Sequence, residues 1–331
     1  MIILLIFLSF WLGLAFRSAI IALLITAVVF LLFVLKRFKL KICLLCAFSL
    51  FIGICFSCSR IFSPKEQYQG VVYQAKENYF LFNSGGERLY VYSKGHHYDI
   101  GDWLSIKGEK EDLSFTTIES SFDFKSYLNK RGVYNSLKSQ TIKVDFTNPI
   151  RINERRKKLL NNFNAEEKSV IGAMLFSDGA DDEISDNIRD LHLARFLAAS
   201  GIFISAFHRF FTRLFSRFMK DKWAEIVSLS FLSLYTIFTF PRFTVIKVML
   251  FLIIRWINEY PLKKKFSYLT LLSSFGIFCL LCNHYLAVQD SFILGFMIPL
   301  ISYLGRHIYQ GHKIKKWLFH YLLIYMFFMP I

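Results

Sequence analysis

The chain has 331 residues, of which 54% are hydrophobic, with a mean hydropathy of +0.41 and a formal net charge of +16. That composition excludes an ordinary soluble domain, and the length accommodates several membrane segments plus one small folded insert. The basic excess is uneven: residues 1–61 carry six Lys+Arg and no acids, whereas residues 62–150 carry eleven of each. Positive charge beside apolar segments is the pattern of cytoplasmic membrane loops before it is that of a nucleic-acid groove.

Residues 1–16 and 18–35 are apolar segments divided only by Arg17 and are predicted to form a tight helical hairpin. The start has no basic n-region and no small-x-small cleavage site, so the first helix is expected to stay on the chain. Lys36, Arg37, Lys39 and Lys41 then read as a cytoplasmic loop, and residues 42–57 as a third span that delivers the chain outside. Six cysteines occur as Cys43/Cys46, Cys55/Cys58 and Cys279/Cys282, all in or at the ends of apolar segments. Their i, i+3 spacing shares a helix face but lacks polar second-shell partners, so they read as packing residues rather than zinc ligands.

From residue 68 to 146 the pattern changes to period-two alternation. Residues 79–82 and 89–92 flank Asn83-Ser84-Gly85-Gly86 as a hairpin, Gly101-Asp102 precedes a strand at 103–107, and Ile142, Val144 and Phe146 alternate later. Five or so short strands in this length predict a small OB-like barrel, with a helix over 124–130. Tyr73, Tyr79, Tyr90, Tyr92 and Trp103 are its candidate base-stacking aromatics. Balanced charge gives no general electrostatic pull, so most of them are expected in packing roles, with a local groove left open.

Residues 151–163 read as an amphipathic helix: Ile152, Leu159, Leu160 and Phe163 on one face, Arg155, Arg156, Lys157 and Lys158 on the other. Such a helix suits an anionic membrane interface or a phosphate backbone, and both readings stay open. Asn164 with Glu167 three residues on predicts a capped start for a short helix over 170–176. After an acidic linker at 178–183 comes an apolar stretch that carries Arg195 and Ser200-Gly201. An arginine at membrane depth faces a bundle interior or snorkels to the interface, and the small pair either lets helices approach or forms a hinge. Residues 178–189 fail as a calcium loop, with Ala180 third and Arg189 twelfth.

Further apolar segments lie at about 193–212, 224–240, 243–258, 266–283, 291–306 and 317–331. Placing residues 62–150 outside puts Arg213/Arg217/Lys220/Lys222, Lys263-Lys264-Lys265 and Lys313/Lys315/Lys316 all in the cytoplasm. The domains expected are therefore N-terminal membrane helices at 1–61, the β domain at 62–150 and a helical membrane bundle at 151–331.

The run LHLARFLAASGIFI, residues 191–204, resembles the signature of ComEC competence proteins, approximately T-G-L-A-H-L-L-A-V-S-G-L-H-V; Leu193, Ala194, Leu197, Ala198, Ser200 and Gly201 match. Ala173-Met174-Leu175 with Asp178 resembles that family's leucine-rich stretch ending in Gly-Asp. Phe122-Asp123-Phe124, Tyr127-Leu128 and Gly132-Val133 resemble the close of its OB-like insert, and Phe292, Leu294 and Phe296 match a later segment. Arg195 and Phe203 stand where the family has histidines and His192 where it has glycine, so the roles of those residues do not carry over. No H-x-H-x-D-H motif of the family's metallo-β-lactamase-like domain occurs.

The resemblance implies a polytopic α-helical membrane protein with a small OB-like β-barrel insert outside the cytoplasmic (inner) membrane of a bacterium. It implies a channel component that conducts single-stranded DNA into the cytoplasm during natural transformation. Membrane lipid, a DNA receptor and a cytoplasmic DNA-translocating ATPase are the expected partners, since no P-loop is present. Candidate path residues are Arg195, Ser200, Gly201, His208, Arg242 and Lys247, with Arg209, Arg213 and Arg217 read as interface anchors; Arg155, Arg156, Lys157 and Lys158 are candidate DNA guides. No serine, histidine and acid grouping or complete metal-ligand set argues for catalysis, and no cofactor is expected. The alternatives are a small-molecule transporter, a membrane scaffold whose β insert binds a protein, or a truncated, inactive family member.

Overall fold

The computed structural model describes residues 2–15, 40–58, 65–76, 78–114, 123–164, 167, 200–239 and 243–308. The chain divides into two compact units, Met1–Ile61 with Ile257–Ile331, and Phe62–Trp256.

In the first unit, α1 (Ile2–Ala15) packs on α2 (Leu40–Cys58). The crossing is close because Gly13 and Gly53 face each other: a Cβ at Gly13 would collide with the Leu50 carbonyl oxygen, and one at Gly53 would come within 2.6 Å of the Phe10 carbonyl oxygen. Small residues that let helix backbones touch are the means by which apolar helices associate without a hydrophobic driving force. Ser49 donates to the Ile6 carbonyl at 3.0 Å, and Cys43 and Cys46 are buried with Leu5. The cysteines Cys43, Cys46, Cys55, Cys279 and Cys282 are free thiols. In α1, Phe7 and Trp11 join the rings of Phe292 and Phe296, and the Trp11 indole donates to the Ala287 carbonyl at 2.8 Å. Among the described residues one helix is long and apolar enough to cross a membrane, Leu40–Ser57, with Ile2–Ala15, Tyr268–Cys282 and Ser291–Ile301 as shorter apolar helices.

The second unit holds the expected barrel. Strands β1 (Gln67–Ala75), β2 (Tyr79–Ser84), β3 (Glu87–Tyr92), β4 (Trp103–Asp112) and β5 (Val133–Phe146) close in the order β1-β2-β3-β5-β4. All pairings are antiparallel except β3 with β5. The β2–β3 turn falls on Gly85-Gly86, both at positive φ (57° and 92°), the conformation a two-residue hairpin needs. Inward alternation buries Tyr68, Val72, Phe80, Phe82, Leu89, Val91, Leu104, Ile106 and Leu137 as one core.

Helix α3 (Phe124–Lys130), capped where Asp123 accepts the Ser126 N–H at 2.9 Å, covers part of the barrel's outside. Beneath it lies a second core of Leu81, Tyr90, Leu113, Leu128 and Val133, fringed by Tyr73, Tyr79, Phe124 and Tyr127. Helix α4 (Ile152–Leu160) follows β5. Helices α5 (Ser200–Phe215), α6 (Asp221–Thr239) and α7 (Phe243–Glu259) then pack through Ile204, Leu229, Leu232, Val245, Met249 and Leu252. Helices α8 (Tyr268–Cys282) and α9 (Asp290–Ile308) belong to the first unit.

Candidate nucleic-acid interface

The basic helix α4 is fixed by the barrel rather than by its own sequence. Arg151 precedes it in a left-handed conformation and gives no side-chain cap. Instead Asp99, buried in the β3–β4 connection, accepts the N–H groups of Asn153 (3.0 Å) and Glu154 (3.3 Å), which are orphan donors of the first turn. Asp102, also buried, accepts from Asp99 N at 2.7 Å and Asn148 N at 2.8 Å, while the Asn148 amide donates to the Ile100 carbonyl. Arg151 adds a bond to the His97 carbonyl and an ion pair with Asp102 at 3.8 Å. Two carboxylates of the β3–β4 connection are thus a clasp between barrel and helix.

On α4, Arg155, Lys157 and Lys158 are exposed, as expected of guides to a polyanion. Lys158 also pairs with Glu154 at 2.9 Å, and Lys158 and then Arg151 hold the Glu154 carboxyl below its usual range by hydrogen bonding. Arg156 corrects the sequence reading: it is only 4% exposed. Its spacing from Ile152 and Leu160, one turn either way, places it on the buried face, with Asn153 as one hydrogen-bond partner. The expected apolar face also divides, since Ile152 and Leu160 are buried but Leu159 and Phe163 are exposed beside the basic residues.

The barrel aromatics sort into two groups. Tyr73, Tyr79 and Tyr90 belong to the core under α3, and burial pushes the Tyr79 phenol up to about 12. Guanidinium groups clamp the same region: Arg131 lies 4.1 Å over the Tyr127 ring and donates to Gln74, and Arg88 donates to the Arg131 carbonyl. Tyr92 and Trp103 are exposed. Trp103 faces Phe146 across the β4–β5 ladder, at 46% and 58% exposure. Directly opposed residues have Cβ atoms about 5 Å apart, so the register puts these two exposed side chains next to one another. Lys143, opposite Ser105, and Lys107, opposite Thr141, are exposed along the same two strands. The alternation showed Trp103 and Phe146 separately; only the register brings them together.

Among the path candidates, Arg195 and Arg242 lie outside the described residues. Ser200 and Gly201 open α5. His208 on α5 and Lys247 on α7 are both buried, at 7% exposure each. The interface anchors Arg209, Arg213 and Arg217 are exposed. Sequence reasoning missed Thr212, one turn beyond His208, whose hydroxyl is buried without a hydrogen-bond partner. The helix over 170–176 lies outside the described residues, although Glu167 does accept the Asn164 N–H at 3.2 Å, the reciprocal half of the expected cap. Among the described residues no group of His, Cys, Asp and Glu could hold a metal ion. No family model, curated protein or solved structure matches the chain.

Proposed function

We propose that this chain is a multi-pass component of a bacterial cytoplasmic-membrane channel that conducts single-stranded DNA inward, with its OB-like barrel on the outer side. The observation that carries the membrane part is an inverted distribution of polarity. Helices α5 and α6 expose Phe207, Phe210, Phe231, Leu234 and Ile237 while burying His208 and Ser228, and α2 exposes Leu44, Phe48 and Phe51 while burying Ser49 and Ser57. Apolar surfaces of that extent are costly in water and suit lipid. The exposed Leu159 and Phe163 beside Lys157 and Lys158 suit an anionic membrane surface in the same way. The DNA part rests on the resemblance to ComEC proteins, and the Trp103–Phe146 pair with its nearby lysines supports it as a stacking surface.

Transformation with labelled DNA, compared between a deletion strain and one complemented by this chain, tests the reading. Loss of cytoplasmic label on deletion and its return on complementation is the expected result; unchanged uptake refutes it.

One observation favours a second reading, a membrane scaffold whose barrel binds protein. OB-like barrels bind oligonucleotides on the face of strands 2 and 3, and here α3 covers that face over Leu81 and Tyr90. Oligonucleotide binding that survives Trp103→Ala together with Phe146→Ala would move the DNA contact away from the barrel and favour this reading.

A further inference from the structure

Helical serines and threonines in apolar segments ordinarily satisfy themselves by donating to the carbonyl four residues back. Ser9, Ser230, Ser233 and Thr236 do so here, to Leu5, Ile226, Leu229 and Leu232, at 2.7–2.9 Å. Thr212 does not. The carbonyl it would use is that of His208, which instead accepts the Ser228 hydroxyl of α6 at 3.2 Å. The Thr212 hydroxyl is left buried and unpartnered, and one turn away the His208 Nε2, on a residue more than nine-tenths buried, is unpartnered too. Residues four apart share a helix face, so the two open groups are neighbours.

The charges that bear on the His208 imidazole come first from Arg255 of α7 and then from Arg209 of α5, and both are positive. A buried imidazole in the field of two arginines that are themselves exposed, with an open hydroxyl one turn away, is a costly arrangement while empty and a favourable one around an oxyanion.

The geometry points to a phosphodiester-binding site formed by His208, Thr212 and Arg255, with Arg209 at its edge. Nε2 and the Thr212 hydroxyl donate to one non-bridging oxygen pair, and the guanidinium groups neutralise its charge. The phosphodiester comes from a nucleic-acid strand, in which case the site rests on the DNA-channel reading above, or from a phospholipid headgroup, in which case it does not. With Arg213, Arg217, Lys220 and Lys222 following on the cytoplasmic side, the site would lie at the inner end of the helices.

The full chain in zwitterionic nanodiscs, titrated with a fluorescent oligothymidylate, tests the site. Thr212→Val and His208→Gln should each weaken binding about 3- to 10-fold, and Arg255→Gln should weaken it and flatten its salt dependence. In discs containing phosphatidylglycerol, mass spectrometry reads the other source: unchanged oligonucleotide binding with loss of retained anionic lipid in the same variants assigns the site to a headgroup. Oligonucleotide binding and lipid retention both equal to wild type in Thr212→Val and His208→Gln, with melting temperature preserved, would mean that the groups meet only water and would overturn the site. If the variants lose binding but DNA uptake in cells is unaffected, the site stands and the channel reading fails.

Discussion

The junction of the barrel with α4 and the layer of helices α5–α7 both bury polar side chains, but only the helices leave two of them, His208 and Thr212, with open atoms side by side on one face. At the junction, Asp99 and Asp102 accept backbone N–H groups from three separate segments, and elsewhere in the barrel wall the Glu87 carboxylate is neutralised by an ion pair with Lys110 at 2.5 Å. In the helices, His208 and Thr212 sit buried with open hydrogen-bonding atoms. A saturated polar group holds a fold together, and removing it exposes its partners to desolvation. An open one costs the fold that bears it the desolvation of its polar atom. The contrast separates residues that build the structure from those available to a ligand.

Breaking the saturated side should have the largest effect. Lys110→Ala leaves the Glu87 carboxylate, 7% exposed, without its cation, and is expected to destabilise the barrel by about 3 kcal/mol in denaturant unfolding. The paired change Lys110→Met with Glu87→Leu should recover most of that loss, because it removes both charges together. Asp99→Ala comes next, at about 2 kcal/mol, since it strips the acceptor from the Ile100, Asn153 and Glu154 N–H groups. Hydrogen exchange at Asn153 and Glu154 should accelerate in that variant while the Ser126 amide, capped by Asp123, is unchanged.

On the open side the sign reverses. Thr212→Val removes a buried hydroxyl that bonds nothing, so stability in the absence of ligand should hold or rise by up to about 1 kcal/mol. A comparable loss in thermal melting would place Thr212 with the structural groups and dissolve the contrast. The smallest effect concerns pH. The Tyr79 phenol is raised from its ordinary 10 to about 12, mainly by burial and then by the neighbouring Tyr127, with Arg131 opposing. The unfolded chain therefore ionises first: the stabilisation is intact below pH 10 and declines as pH rises towards 12. Tyr79→Phe should flatten that part of the stability profile.

The barrel was legible because alternation, the Gly85-Gly86 turn and the 124–130 helix are all local signals, and each falls where its residues predict. The basic run Arg155-Arg156-Lys157-Lys158 misled because charge in sequence resembles charge on a face. The 3.6-residue turn instead aligns Arg156 with Ile152 and Leu160. Asp99 carried no local signal, since its work is done 54 residues away, at Asn153. His208 stood out by its type, whereas Thr212 could not, because an open hydroxyl shows only once the helices are packed, with Ser228 of another helix donating to the His208 carbonyl. How the expected spans divide between lipid and water was less legible: Arg209 and Arg213 on α5, Lys222 and Glu225 on α6, and Lys247 and Arg255 on α7 shorten the uninterrupted apolar stretches.

The remote cap on α4 bears on the order of events as the chain emerges. Nine residues are too few for a helix to persist alone in water, and this one begins with a residue in the left-handed conformation. Its acceptor, Asp99, is made well before it and takes position when the β3–β4 connection settles. In water the cationic segment is therefore expected to hold its first turn only once Asp99 is in place, and a chain whose β3–β4 connection is unformed presents its arginines and lysines without that turn. The first turn of α4 is in effect a reporter of the β3–β4 connection, readable one amide at a time.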